Sequence, residues 1–179
     1  QILLYGVAGT GKTTLAKLLP DLIEAGYGGE GADDKFISCE QGVRGDLIMP
    51  QLRSHSELVH ITYSGLAFTV LDEVDNLTVA AQKSLKAVMN AKQMGFILTT
   101  NYITKVDGAI KDRCFVLEMN APTPSAFLPL LRGMACDVGW HSASDEDLVN
   151  IATAARGSYR GMSRQVQQAS LLHETALIT

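Results

Sequence analysis

Residues Gly6, Val7, Ala8, Gly9, Thr10, Gly11, Lys12 and Thr13 follow the pattern G-x-x-x-x-G-K-[ST]. Glycines at this spacing let successive backbone N–H groups turn inward around an anion. A helix that starts at the second half of the motif adds the partial positive charge of its N-terminus. Lys12 has the reach to touch the β- and γ-phosphates of a nucleotide, Thr13 offers a hydroxyl to Mg²⁺, and Thr14, next in the chain, is expected to complete the nucleotide-binding stretch. Sixty residues after Lys12, the run Val70-Leu71 ends in Asp72-Glu73. An aspartate at the end of a buried strand suits a divalent ion bridging phosphates. A glutamate beside it can polarise a water for in-line attack. The competing reading of Asp72 and Glu73 is an ordinary acidic start to the following helix. The phosphate loop upstream favours the chemical one.

These residues need a sheet behind them. Residues 2–5 form an apolar run that stops at Gly6, and 67–71 and 95–100 are runs of the same kind, while 36–39 and 114–117 are shorter ones. Uninterrupted apolar runs of this length mark strands buried on both faces. Helical spacing links Leu15, Leu18 and Leu19, with Pro20 expected to end or kink that helix. Further helices are expected at 43–53, from Thr78 as N-cap to about 91, and at 106–112. Residues 54–66 read ambiguously, with a possible short strand at 58–61. Strand and helix alternate to about residue 121, which implies a parallel sheet with helices on both faces. After Pro122 and Pro124 the expected elements are helices only, at about 124–135, 145–155 and 160–176, with Ser144 and Asp147 spaced as a capping box. The expected division is therefore an α/β core over 1–121 and a small helical domain over 122–179.

Composition removes several classes. Hydrophobic residues at 46% and charged residues at 19% describe a globular chain with enough apolar material for a core. A net charge of −4 argues against a chain coated in basic residues for nucleic acid, while leaving room for a local patch. Cys39, Cys114 and Cys136 are odd in number and widely spaced, as expected of reduced thiols. His55 and His60 have no metal-ligand spacing with a nearby Cys or Asp pair and read as structural or surface residues. No apolar run is long enough to span a membrane, and the opening residues lack the form of a signal peptide. The expectation is a cytoplasmic protein (nuclear if eukaryotic), not a secreted one.

The motifs, taken in order, resemble those of the AAA+ ATPases, and within them the clamp loader small subunits of the replication factor C and phage type. Asp72, Glu73, Val74, Asp75, Asn76, Leu77 and Thr78, followed by Ala81, Gln82, Leu85 and Met89, resemble the loader's acidic box and its next helix. Ile97 through Asn101 and Tyr102, with Lys105, resemble the sensor 1 strand end. Ile110, Lys111, Asp112, Arg113 and Cys114 resemble the Ser-Arg-Cys motif, and Gly157 through Arg160 the start of the sensor 2 helix. The resemblance implies a P-loop NTPase core followed by a three-helix lid, with ATP and Mg²⁺ as cofactors. It implies that Asn101 holds the attacking water or the γ-phosphate. Arg113 would be an arginine finger reaching a neighbouring subunit's nucleotide, a task that suits a permanently charged, forked guanidinium. Arg160 would be sensor 2, with Arg164 one helical turn along as its rival.

The implied partners are identical or homologous subunits in a ring-like oligomer, a sliding clamp and primer–template DNA in replication. Arg44 and Arg53, and Lys83, Lys86 and Lys92, are candidates for phosphate contacts, with solvated helix faces as the equal alternative. Several positions depart from the loader pattern. Asp112 stands where Ser is usual and could compete for Arg113. Asn90 stands where Glu is usual, and Pro20 is unusual inside the first helix. The segment ahead of the first strand and the collar after the lid are not among these residues, as expected of a fragment or of a different assembly. Two other functions fit the same residues: another AAA+ machine, such as a helicase loader or branch-migration motor, and a non-hydrolysing structural subunit.

Overall fold

The computed structural model describes the backbone of residues 1–39, 45–58 and 60–177, and the side chains of all of these except 45, 46 and 173–177. The chain divides into two units, Gln1–Gly6 with Lys12–Met119, and Val7–Gly11 with Asn120–Thr179. The first unit is built on a parallel sheet of β1 (Ile2–Tyr5), β2 (Asp34–Ser38), β3 (Ala67–Asp72), β4 (Met94–Thr100) and β5 (Phe115–Glu118), in the order β2-β3-β4-β1-β5. Its helices are α1 (Lys12–Gly26), α2 (Gly45–Ser56), α3 (Val79–Val88) and the single turn α4 (Gly108–Lys111).

Successive strand side chains point to opposite faces, and here both faces are apolar. Leu3, Leu71, Phe96 and Leu98 pack with Ile48 and Leu52 of α2 and with Ala81 and Leu85 of α3. Leu4, Val70 and Ile97 point the other way, into a second cluster with Ala16 of α1. Each such Leu or Ile is worth roughly 1.5–3 kcal/mol on burial, which explains why the strands are continuous apolar runs rather than alternating ones. The C-terminal ends of β3, β4 and β1 lie side by side, the edge at which open α/β sheets bind ligands.

Several elements differ from the expectation. Helix α1 runs through Pro20 to Gly26. A proline there removes one N–H and costs about 3 kcal/mol, but Ala16, Pro20 and Glu24 form the buried edge of the helix, so packing holds the turn that propensity would break. Helix α2 likewise continues over Pro50 to Ser56; its expected start at 43 and the candidate Arg44 lie outside the described residues. The possible strand at 58–61 is absent among the described residues: Leu58, His60 and Ile61 have no regular structure. Ile61 is 96% exposed, and β3 already has β2 and β4 on its two edges. Helix α3 stops at Val88 rather than 91, and Thr78 caps its start by accepting from the Ala81 N–H at 3.2 Å.

The second unit contains α5 (Leu128–Asp137), entered through a 3₁₀ turn at Pro124–Phe127, then α6 (Asp145–Ala154) and α7 (Tyr159–Leu177). Phe127, Leu131, Leu148, Met162 and Val166 form their common core. The Ser144 capping box closes with aspartate in place of the usual longer acid. The Ser144 hydroxyl accepts from the Asp147 N–H, and Asp147 Oδ2 accepts from the Ser144 N–H, both at 3.1 Å. Among the described residues, no helix is long and apolar enough to cross a membrane.

Candidate functional site

The loop after β1 takes its shape from its glycines. Gly6 has φ 152°, and a Cβ there would lie 2.6 Å from the Met119 carbonyl oxygen. Gly9 has φ 86°; its carbonyl accepts from the Tyr159 N–H at 2.8 Å, and a Cβ would overlap the Ser158 hydroxyl. Both positions therefore need glycine, for backbone conformation and for close approach. Thr10 donates its hydroxyl to the Val7 carbonyl at 2.9 Å, closing the turn. Val7 and Ala8 are exposed at the tip. Helix α1 then begins at Lys12, so its first N–H groups, which lack partners within the helix, belong to the loop. Thr14 is exposed in its first turn.

Lys12 is buried and donates to the Gly6 carbonyl at 2.9 Å. Burial pushes its pKa down, while the carboxylates of Asp72, Glu73 and Asp75 push it back up. The ammonium therefore sits among negative groups on one side and a carbonyl on the other, but burial outweighs the carboxylates and leaves its pKa below the ordinary lysine value.

Beside it, the Thr13 hydroxyl donates to Asp72 Oδ1 at 2.8 Å. The Thr99 hydroxyl, from the neighbouring strand β4, donates to the same oxygen at 2.6 Å and accepts from the Glu73 N–H at 3.0 Å. Glu73 itself lies in the left-handed region, φ 57° and ψ 52°, a conformation that costs a non-glycine residue of order 1–3 kcal/mol. Two amides hold its carboxylate: Asn76 Nδ2 donates to Oε2 at 3.1 Å and Asn101 Nδ2 approaches Oε1 at 3.4 Å. The Thr100 hydroxyl donates to Asp75 Oδ1 at 2.7 Å. The Thr13 hydroxyl and the Asp72 carboxylate thus present hard oxygens to one point next to Lys12, a donor set that fits Mg²⁺ with its remaining positions left to phosphate and water.

The structure therefore brings Lys12, Thr13, Asp72, Glu73 and Asn101 together in the first unit. Arg113 lies elsewhere, exposed after α4. Its Nη1 donates to the Ala109 carbonyl at 2.7 Å and its Nε to Asn90 Oδ1 at 3.3 Å. Among the described residues no ion pair joins it to Asp112, so the competition expected from that acid is absent, and Arg113 meets the departure at Asn90 instead. Arg160 is the second residue of α7, directly after the Tyr159 whose N–H bonds the loop at Gly9. Arg160 and Arg164 are both exposed. Of the candidate phosphate contacts, Arg53, Lys83 and Lys92 are exposed, and Lys86 lies 3.5 Å from Asp107.

Sequence reading missed Thr99 and Asn76. The signal for Thr99 was the pair of hydroxyls at 99 and 100 closing an otherwise apolar strand. Asn76 carried none beyond its nearness to Glu73.

The pattern of the family described as "ATPase family associated with various cellular activities (AAA)" matches residues 2–120. The chain is 29% identical over 172 residues to the replication factor C small subunit 2 of Pyrobaculum islandicum, covering 95% of this chain and 53% of that protein. It is also 29% identical over 181 residues to the replication factor C small subunit of Methanosphaera stadtmanae, covering 99% and 54%. It therefore spans about half the length of these relatives. The Thermotoga maritima RuvB Holliday junction branch migration motor shares the fold, with TM-score 0.71 at 19% identity over 93% of this chain and 53% of that one. Given a parallel sheet in this order, a phosphate-loop motif directly after β1 in the chain and a family match over most of the first unit, the chain belongs to the AAA family of ATPases.

Proposed function

We propose that this chain binds and hydrolyses ATP as the core (1–121) and lid (122–179) of a sliding-clamp loader subunit acting at primer–template junctions in DNA replication. The observation that carries the hydrolytic part is the bonded chain Thr13–Asp72–Thr99–Glu73–Asn101 beside Lys12. The replication factor C relatives at 29% identity support the loader over other AAA+ machines.

In this reading the loop amides and Lys12 hold the phosphates, and Thr13 and Asp72 would hold Mg²⁺. The ion, when bound, neutralises phosphate charge and aligns the γ-phosphate. Glu73, turned outward by its left-handed backbone, accepts a proton from the attacking water. Asn101 orients that water, and it and Asn76 keep the carboxylate in place. Arg113 acts on the nucleotide of a neighbouring subunit, so turnover needs a ring-like oligomer. Arg160 contacts the subunit's own nucleotide.

The test is ATP turnover against protein concentration, with and without primer–template DNA and a sliding clamp. Specific activity that rises with concentration, with DNA and with the clamp is the expected result. Stimulation by DNA but indifference to the clamp would move the assignment to a helicase loader or branch-migration motor. ATP binding without turnover under every condition would make the chain a structural nucleotide-binding subunit. In the same assay Glu73→Gln should keep ATP binding and lower turnover by roughly 10²–10⁴-fold, the scale of general-base catalysis; undiminished turnover removes Glu73 from the role.

A further inference from the structure

Away from the phosphate loop, the first unit gathers three side chains that are distant in sequence. Asp33 immediately precedes β2, His55 lies in the last turn of α2, and His60 lies in the connection to β3. One nitrogen of each imidazole faces a different oxygen of the same carboxylate. His60 Nδ1 is 2.5 Å from Asp33 Oδ2, and His55 Nε2 is 3.5 Å from Asp33 Oδ1. All three donor atoms lie within 4.8 Å of one another.

The outer nitrogens are anchored as well. His60 Nε2 is 2.8 Å from the His55 carbonyl oxygen, and His55 Nδ1 is 3.1 Å from the Thr69 hydroxyl in β3. A carbonyl only accepts, so the proton of a neutral His60 ring sits on Nε2. Its Nδ1 is then a bare lone pair turned on a carboxylate oxygen, and two acceptors so placed require either a second ring proton or a metal ion between them. The anchoring of each outer nitrogen to an oxygen is the arrangement that orients imidazoles as metal ligands. Both imidazoles are buried, while the Asp33 side chain is 47% exposed and can draw back to ordinary ligand spacing.

We propose that Asp33, His55 and His60 bind a divalent transition ion of the zinc class, with the fourth position open to water. Two imidazoles and one carboxylate form a donor set that zinc takes in tetrahedral sites and that Mg²⁺ disfavours. The ion clips His60, in the connection after α2, to Asp33 just ahead of β2; among the described residues of that connection no strand forms. It is separate from the nucleotide chemistry and does not depend on it.

The experiment is zinc binding to the metal-stripped chain, against a chromophoric chelator, in millimolar Mg²⁺ to keep zinc from oxygen-only sites. The expected result is one Zn²⁺ per chain. Affinity should fall at least tenfold, roughly the scale that loss of even an outer anchoring partner costs, in His60→Ala and in Asp33→Asn. Asp33→Asn is nearly isosteric at a half-exposed position and should keep the fold, which thermal melts verify. Cys136→Ser controls for a soft donor pair in the second unit, Cys136 Sγ and His141 Nδ1 at 3.6 Å, and should leave binding intact. Zinc that does not bind, or that binds Asp33→Asn and the parent alike, overturns the proposal; a proton on His60 then fills the place between the two acceptors.

Discussion

Thr99 is where the geometry makes its most specific demand. Its hydroxyl, buried on β4, donates to Asp72 and accepts from the Glu73 N–H. Thr99→Val keeps shape and volume and removes both bonds. A hydrogen bond to a charged carboxylate contributes about 1.5–3 kcal/mol, and leaving the Glu73 N–H without its acceptor adds a further cost of order 1 kcal/mol. Part of this returns through water, since Asp72 and Glu73 are not fully buried. A net destabilisation of about 2 kcal/mol follows, or a midpoint lowered by roughly 4–8 °C for a chain of this size. The catalytic effect is separate. Without Thr99, the backbone of Glu73 loses the contact that holds it in its left-handed conformation, and the carboxylate drifts from the attacking water. A drop in kcat of about tenfold to a hundredfold corresponds to 1.4–2.7 kcal/mol of lost transition-state positioning, roughly the same bond. ATP affinity should change by less than about threefold, because Lys12 and the loop amides are untouched. Thr99→Ser, which restores the hydroxyl, should recover most of kcat. Urea melts, fluorescent-nucleotide titration and steady-state turnover measure the three quantities. Parental kcat in Thr99→Val, or a loss of ATP affinity as large as the loss of kcat, refutes the assignment of Thr99 as the positioning bridge.

Other predictions concern separate sites. Arg113→Ala should lower turnover by about 10³-fold or more if it serves as an arginine finger, and mixing it with Glu73→Gln should restore part of the activity, because mixed neighbours contain intact sites; an inert mixture of two ATP-binding, assembling variants argues against action in trans. Burial, first, and the nearby Asp72, Asp75 and Glu73 carboxylates push the Cys39 thiol up to about 12, so thiol reagents at pH 8 should label exposed Cys136 in the native chain and reach Cys39 only after unfolding. Glu24 is held below its usual range by its contacts with Ser64 and by the Tyr63 and Ser64 N–H groups, which together outweigh burial. A carboxyl with a depressed folded pKa stabilises above its unfolded value near 4.5 and loses that contribution as pH falls through the folded value. Glu24→Gln should therefore be less stable than the parent at neutral pH, with the difference shrinking below about pH 4.5 in denaturant melts taken across pH.

What could be read from residues alone was whatever depends on local order. The phosphate loop is contiguous, and its glycines, lysine and threonine carry their chemistry in their spacing, so Gly6 through Thr13 were legible. Strands buried on both faces leave continuous apolar runs, which located β1, β3 and β4 and the parallel sheet with them. Caps are equally local, and Thr78 and Ser144 stand where their patterns placed them. Tertiary packing decided the rest. Pro20 stays inside α1 because a buried helix edge outweighs a missing N–H, and Ile61 adds no strand beside β3, whose two edges are taken by β2 and β4. Thr99 became the bridge between Asp72 and Glu73 because β3 and β4 lie side by side, an adjacency that no spacing encodes. Asp33, His55 and His60 looked unrelated at separations of 22 and 5 residues; only the pairing of β2 with β3, and the return of α2 across them, turns three ordinary side chains into one set of donors.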